Sequence, residues 1–199
     1  MENKYQYVDP EYKYTNKNGV LNNLANIDNE KILIAYESLK VSKRVEELFE
    51  NPIIIKDHSS LLYLHYYLFQ DVYEWAGNER TVNISKNGKP FFEGDRFSFA
   101  FQYIDNLLIE YRNISKAKKD ELAFKLAEIL DNVNFLHPFR EGNGRAQREF
   151  IRLLALEKDL KLNLNSPDNK SVYERYMHGT INSDVKALTE LILELIETK

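Results

Sequence analysis

The chain has 199 residues, 43% of them hydrophobic and 29% charged, the mix of a soluble one-domain protein long enough to bury a sizeable core. Its net charge of −4 argues against a nucleic-acid binder that works by bulk electrostatics, but leaves room for a local basic pocket. There is no cysteine, so disulfides and thiolate catalysis are excluded and zinc would need other ligands.

Residues 1–26 are polar and rich in Tyr, Asn and Lys. They read as an extended N-terminal arm, in which Tyr5, Tyr7, Tyr12 and Tyr14 either pack over the domain or hang loosely. No positive segment followed by an apolar run opens the chain, and no apolar run approaches the roughly 18–20 residues of a membrane span. A cytoplasmic protein is therefore expected, with export through a dedicated secretion machine left open. The main domain is expected over 27–199. With Asp28 as N-cap, apolar residues at Ile32, Leu33, Tyr36, Leu39, Val45, Leu48 and Phe49 predict a helix to Glu50, broken near Val41 and Ser42. A second helix is expected from Asp57 to Trp75, ended by Gly77. In "RTVNISKNGKPFFEGDRF", β-branched and aromatic residues flank an Asn-Gly pair, which predicts a hairpin with strands over 81–85 and 90–93. A lone hairpin is marginal in water, so this one must lean on the helices.

Further helices are expected over 95–113 and 117–136, the latter with Leu122, Leu126, Ile129, Leu130 and Val133 on one face. Another should run over 143–158. "NSPD" at 165–168 reads as a cap with Pro in the first turn of a helix reaching His178, and a last helix is expected over 183–197. The fold class is mainly α, a helical bundle with one short β-hairpin.

The chemistry concentrates in "HPFREGNGRAQR", from His137 to Arg148. Pro138 disfavours helix at His137, while Gly142 and Gly144 allow close approach and unusual φ. Apolar spacing restarts at Phe150, so the segment is a loop feeding a helix start, where unpaired N–H groups and the positive dipole end attract anions. Arg145 and Arg148, three apart, share a face, and their forks match phosphate oxygens. Glu141 makes sense beside phosphates as a Mg²⁺ ligand. His137 has a pKa suited to proton transfer. Together these residues point to a nucleotide triphosphate, a metal and a base that activates a hydroxyl. Taken singly, each has a bland reading as turn, loop or solvated face; their coincidence in twelve residues carries the functional one.

This segment resembles the signature of the Fic family, His-Pro-Phe-x-Asp/Glu-Gly-Asn-Gly-Arg-x-x-Arg, at every fixed position: His137, Pro138, Phe139, Glu141, Gly142, Asn143, Gly144, Arg145 and Arg148. "EWAGNER" at 74–80 is similar to the family's lead-in to a flap. The resemblance implies a Fic-type bundle with a flap over about 81–93 beside the motif. It also implies transfer of AMP from ATP to a Tyr, Ser or Thr hydroxyl of a target protein. His137 would be the base and Glu141 the Mg²⁺ ligand. Gly142, Asn143 and Gly144 would line the anion hole, Arg145 would meet the β/γ-phosphates, and Arg148 would clamp the γ-phosphate. Phe139 would be a core plug.

The flap, Ile84 to Phe92, would pair with an extended target segment, with Lys89, Pro90 and Phe92 as contacts. Tyr173, Tyr176 and Met177 fall where the family places its adenine wall, although core packing explains them as well. His58, His65 and His178 are read as structural. The kinase-like relative Doc has Lys where this chain has Gly144, which favours AMP transfer. No Ser/Thr-x-x-x-Glu-Gly/Asn inhibitory segment is found. In the family that pattern goes with a separate small antitoxin, whose Glu would mask Arg148, and with DNA topoisomerase subunits as targets, whereas secreted relatives modify host GTPases; the resemblance favours the former. Two other readings stay open: a nucleotide-binding recognition module without transfer activity, and a relative using another donor.

Overall fold

The computed structural model describes residues 6–7, 13–86, 88–165 and 169–198. Helix α4 (Lys119–Leu136) organises it. Eight of its side chains are buried, from Leu122 and Ala123 through Ile129 and Leu130 to Leu136, too wide an arc for a helix lying on a surface. Around it pack α3 (Phe97–Asn113), α5 (Asn143–Glu157), α6 (Lys170–Asn182) and α7 (Val185–Leu195). Helix α2 (Ser59–Phe69) packs on α5 and is covered by α1 (Glu30–Glu50). The mainly α class with a small hairpin is as expected.

Several boundaries differ from the sequence reading. The cap of α1 is Asn29, whose side chain accepts from the Ile32 N–H, and not Asp28. The helix runs unbroken through Val41 and Ser42, because Leu33, Glu37, Val41 and Leu48 form one buried stripe. Helix α2 stops at Phe69, well short of Trp75: the N–H groups of Val72 and Tyr73 both turn back onto the Phe69 carbonyl. Gly77 ends this turn at φ +80, where a Cβ would lie 2.7 Å from that of Tyr66, so only glycine allows the approach. Helix α6 extends past His178 to Asn182 and is capped by Asn169. Ser166, Pro167 and Asp168, the expected cap, lie outside the described residues.

The hairpin is shorter than expected, β2 (Ile84–Lys86) against β3 (Lys89–Pro90), with Ser85 opposite Pro90. A third strand, β1 (Gln6–Tyr7), pairs antiparallel with β2 on its other edge. The arm is therefore tied to the domain. Tyr14 is buried, its hydroxyl accepts from the Thr81 N–H at 3.0 Å, and its ring meets Trp75 edge-on. Tyr5 and Tyr12 and the side chain of Tyr7 lie outside the described residues. A second small sheet joins β4 (Leu160–Lys161) and β5 (Glu197–Thr198). Two-residue strands carry too little alternation to be seen in sequence.

His65 of α2 ties the helices to the 137–142 turn. It is fully buried, with its ring stacked on Phe139 at 3.7 Å and on Phe69 at 4.6 Å. The Gly77 N–H donates to Nδ1 at 2.8 Å, so the proton lies on Nε2, which donates to the Glu141 carbonyl at 2.9 Å. Burial pushes the His65 pKa from 6.5 down to about 3. The unfolded chain thus binds a proton near pH 6.5 that the native chain refuses until about pH 3. Stability is complete above the higher value and is lost as pH falls toward the lower, by up to about 1.4 kcal/mol per pH unit. Denaturant midpoints measured at successively lower pH below neutrality should fall, and a His65→Gln variant should show a shallower slope.

Candidate active site

The turn begins with a strained residue. Pro138 stops α4, and His137 caps it in the left-handed region at φ 46, ψ 59, a conformation that costs a side-chain-bearing residue of order 1–3 kcal/mol and needs support. Nδ1 of His137 lies 2.8 Å from the Asn134 carbonyl, and the imidazole lies flat on Phe91, with centroids 3.8 Å apart. Because Nδ1 faces a carbonyl it holds the ring proton, which leaves Nε2 as the basic nitrogen. Burial pushes the pKa down to about 3, so the ring is neutral at physiological pH.

The third support is Arg80. This buried guanidinium donates through Nε to the His137 carbonyl at 2.8 Å, through Nη1 to Val82 at 2.7 Å, and through Nη2 to Phe92. Its own N–H donates to Pro138 at 2.8 Å. Its backbone partners are carbonyls of the turn at 137–138 and of the segments flanking the hairpin, with the Asn83 side chain a further acceptor at 3.5 Å, and burial lowers its pKa to about 10. Base and hairpin therefore hang on one cation.

Beyond the turn, Asn143 uses its side chain to close the loop, accepting from the Phe139 N–H at 2.9 Å and donating to the Phe139 carbonyl at 2.7 Å. It is buried, and the expected anion-hole contribution narrows to its backbone. The first intrahelical bonds of α5 reach back to the Gly142 carbonyl from Arg145 and Ala146, so the N–H groups of Asn143 and Gly144 precede the ladder. Gly142 has φ +80, and a Cβ there would fall 2.4 Å from the Phe69 ring. Phe139 is a core plug, as read.

A cavity of about 510 Å³ opens over this helix start. His137, Glu141, Gly142, Gly144, Arg145 and Arg148 line one wall; Tyr173, Tyr176 and Met177 of α6 line another; Lys86, Lys89, Pro90 and Phe91 of the hairpin form the rim. Arg145 lies over the Phe69 ring at 4.6 Å and donates to Glu37 of α1 at 2.5 Å. Arg148 lies over Tyr176 at 5.2 Å, with Nε bonded to Asn165. Asn165 in turn donates to Glu149 at 2.7 Å, and Arg152 donates to the other Glu149 oxygen at 2.7 Å. Glu141 accepts from the Gly142 N–H at 3.0 Å. Among the described residues, no group of three His, Asp or Glu could hold a metal unaided. A lone carboxylate beside a phosphate-sized anion site fits Mg²⁺, which takes its other ligands from phosphates and water.

Two flap assignments need correction. Ile84 is buried, and its strand is already paired on both edges, by β1 through Tyr7 and by the Phe91 N–H, which donates to the Ile84 carbonyl. Phe92 does not face the cavity: its ring packs edge-on against Phe135, under Arg96, and its N–H bonds the Phe135 carbonyl. Phe91, the residue before it, has that place, with its ring on the His137 imidazole. Lys89 donates to the Ile181 carbonyl at 3.1 Å, linking the rim to α6. Tyr173 is about half exposed, whereas Tyr176 is buried with its hydroxyl against Gln147, so Tyr176 belongs to both wall and core. Sequence reasoning missed Glu37, Arg80, Phe91 and Asn165, whereas His65, read as structural, is a buried tie between Gly77 and Glu141. Glu37 had a signal, a carboxylate in register with the apolar Leu33 and Val41; Arg80 had one as well, at the end of "EWAGNER".

Residues 56–155 match the family described as Fic/DOC. Protein adenylyltransferase VbhT of Bartonella schoenbuchensis is 36% identical over 152 residues, which cover 76% of this chain and 30% of that protein. Probable protein adenylyltransferase y4lH of Sinorhizobium fredii is 29% identical over 177 residues, covering 88% of this chain and 89% of that protein. The chain thus spans less than a third of one relative and most of the other. The crystal structure of the BepC protein of Bartonella tribocorum, with bound AMPPNP, shares the fold with a TM-score of 0.83 at 20% identity, over 95% of this chain and 98% of that one. Because the match takes in half the chain and the whole turn from His137 to Arg148, the chain belongs to the Fic/DOC family.

Proposed function

We propose that this chain is a protein adenylyltransferase that moves AMP from ATP to a Tyr, Ser or Thr hydroxyl of a target protein. The observation that carries this reading is the cavity wall on which the basic Nε2 side of His137, the start of α5, Glu141, Arg145 and Arg148 converge. His137 takes the proton from the target hydroxyl. The oxygen then bonds to the α-phosphorus, and the bond from phosphorus to the bridging oxygen breaks, releasing pyrophosphate. The N–H groups of Asn143 and Gly144 at the α5 start hold phosphate oxygens, while Gly142, whose N–H meets the Glu141 carboxylate, lines the anion hole beside them. Arg145 meets the β/γ-phosphates and Arg148 holds the γ-phosphate. Glu141 would hold Mg²⁺, which supplies charge neutralisation on the phosphates when bound. Tyr173 and Tyr176, with Met177, flank the adenine.

In this reading residues 27–199 are the transferase domain and 1–26 an arm. Lys89 and Pro90 present the target, as does Phe91 in place of Phe92. The target is a protein, with a DNA topoisomerase subunit as the class that the family resemblance favours. A separate antitoxin donates a Glu to Arg148; in support, among the described residues the side-chain acceptor at Arg148 is the Asn165 amide and not a carboxylate. Among the described residues no helix is long and apolar enough to cross a membrane. A second reading, nucleotide binding without transfer, is favoured by one observation: the Phe91 ring lies over His137.

Label from ATP separates these readings. α-Phosphate label should pass to protein and γ-phosphate label should not; no transfer of either sustains the binding reading. His137→Ala should lower transfer about 10²–10⁴-fold. Because burial holds His137 neutral well below pH 6.5, raising pH through that value should recruit no additional base. The rate measured from pH 6 to 8 should therefore lack a step near 6.5. Arg80→Lys, which cannot serve three carbonyls in one plane, should cut target labelling while leaving the Kd for ATP within about threefold by calorimetry, since the phosphate-contacting arginines are untouched.

A further inference from the structure

Arg145 is not a loose cation on the cavity wall. Its guanidinium lies over the Phe69 ring and donates to Glu37 Oε1 at 2.5 Å. The second Glu37 oxygen accepts from the Tyr73 hydroxyl. Neither Glu37 nor Tyr73 lines the cavity. The Glu37 side chain is only 10% exposed, and that of Arg145 29%. Burial lowers the pKa of Arg145, but the nearby carboxylates more than restore it, and burial beside Glu37 raises that of Tyr73, so the guanidinium is charged and the phenol neutral. Nothing in the motif supplies Glu37: it arrives from α1, more than a hundred residues earlier.

A carboxylate behind an anion site is costly in ground-state binding, since a poorly solvated negative charge opposes a polyphosphate. What it offers is orientation. A free arginine follows a phosphate through many rotamers, whereas one held at Nη1 and stacked on Phe69 presents its remaining donors in one direction. We propose that Glu37, itself fixed by Tyr73, is a positioning residue: it aims Arg145 at the β/γ-phosphates in the pose that places the α-phosphate for transfer. This rests on the triphosphate reading of the cavity.

The proposal separates binding from turnover. Glu37→Gln keeps an acceptor for Arg145 but removes the charge, so the Kd for ATP should fall while most turnover is retained. Glu37→Ala frees the guanidinium. Turnover should drop about tenfold to a hundredfold with no rise in the Kd for ATP, whereas Arg145→Ala should raise that Kd. Tyr73→Phe should lie between wild type and Glu37→Ala, and it carries the test where Glu37→Ala does not fold. Thermal melts of each variant exclude unfolding as the cause. An activity-independent readout is the side-chain N–H resonance of Arg145 in ¹⁵N-resolved NMR. It should be resolved and slow to exchange with water in wild type and in Glu37→Gln, and should broaden in Glu37→Ala. Unchanged turnover in Glu37→Ala, a Kd raised as in Arg145→Ala, or an unaltered Arg145 resonance would overturn the proposal. If wild type transfers no AMP while the resonance behaves as expected, the positioning of Arg145 stands and only the adenylyltransferase reading fails.

Discussion

One buried guanidinium, that of Arg80, sets the relation between the turn at His137 and the hairpin. Its side chain bonds the backbone carbonyls of residues 82, 92 and 137, which belong to the two pieces of backbone that must stay in register, and also reaches the Asn83 side chain. A carboxylate partner would have neutralised the charge more cheaply. Carbonyls hold backbone, however, and backbone is what needs holding here. His137 stays in a left-handed conformation that the chain would otherwise leave, and the flap stays close enough for Phe91 to lie on the imidazole.

The turn itself is closed from inside. Asn143 bonds both the N–H and the carbonyl of Phe139, and His65 joins the Gly77 N–H to the Glu141 carbonyl. These are buried polar groups with satisfied partners, the arrangement in which polar interiors specify one geometry. Around this closed turn lie the residues that line the cavity wall: His137, Glu141, Gly142, Gly144, Arg145 and Arg148. Phe69 serves several parts of this at once. It fills the space that a side chain at Gly142 would need, stacks on His65 and carries the Arg145 guanidinium.

Much of this was legible in the residues because the motif is local. Pro138, the two glycines and the restart of apolar spacing at Phe150 predict a loop feeding a helix, and α5 begins at Asn143. The wide apolar pattern of residues 119–136 likewise marks α4. Reading failed where a residue acts through a partner distant in sequence. Glu37 looked like one more polar position of an amphipathic helix, and Arg80 like a charged residue before a hairpin. Asn143 looked like a phosphate ligand because its carboxamide could have turned either way. Phe91 and Phe92 lie just past the end of β3, and which of the two rings meets His137 was decided by the Phe92 N–H bond to the Phe135 carbonyl and the packing of Phe92 on Phe135.

The sequence by itself determined that a base, an acid, an anion-binding helix start and two arginines occupy one turn, since twelve consecutive residues cannot be far apart. It also determined a mainly helical fold, through the periodicity of its long apolar segments. Only the tertiary structure decided what holds those groups in a working geometry. The holders are Glu37 on Arg145, Asn165 on Arg148, Arg80 and Asn134 on His137, and His65 on the Glu141 backbone. The reason is physical: orientation of a buried charge comes from the donor or acceptor that meets it across the packing interface. Which residue that is depends on how helices separated by tens of residues come to lie against each other.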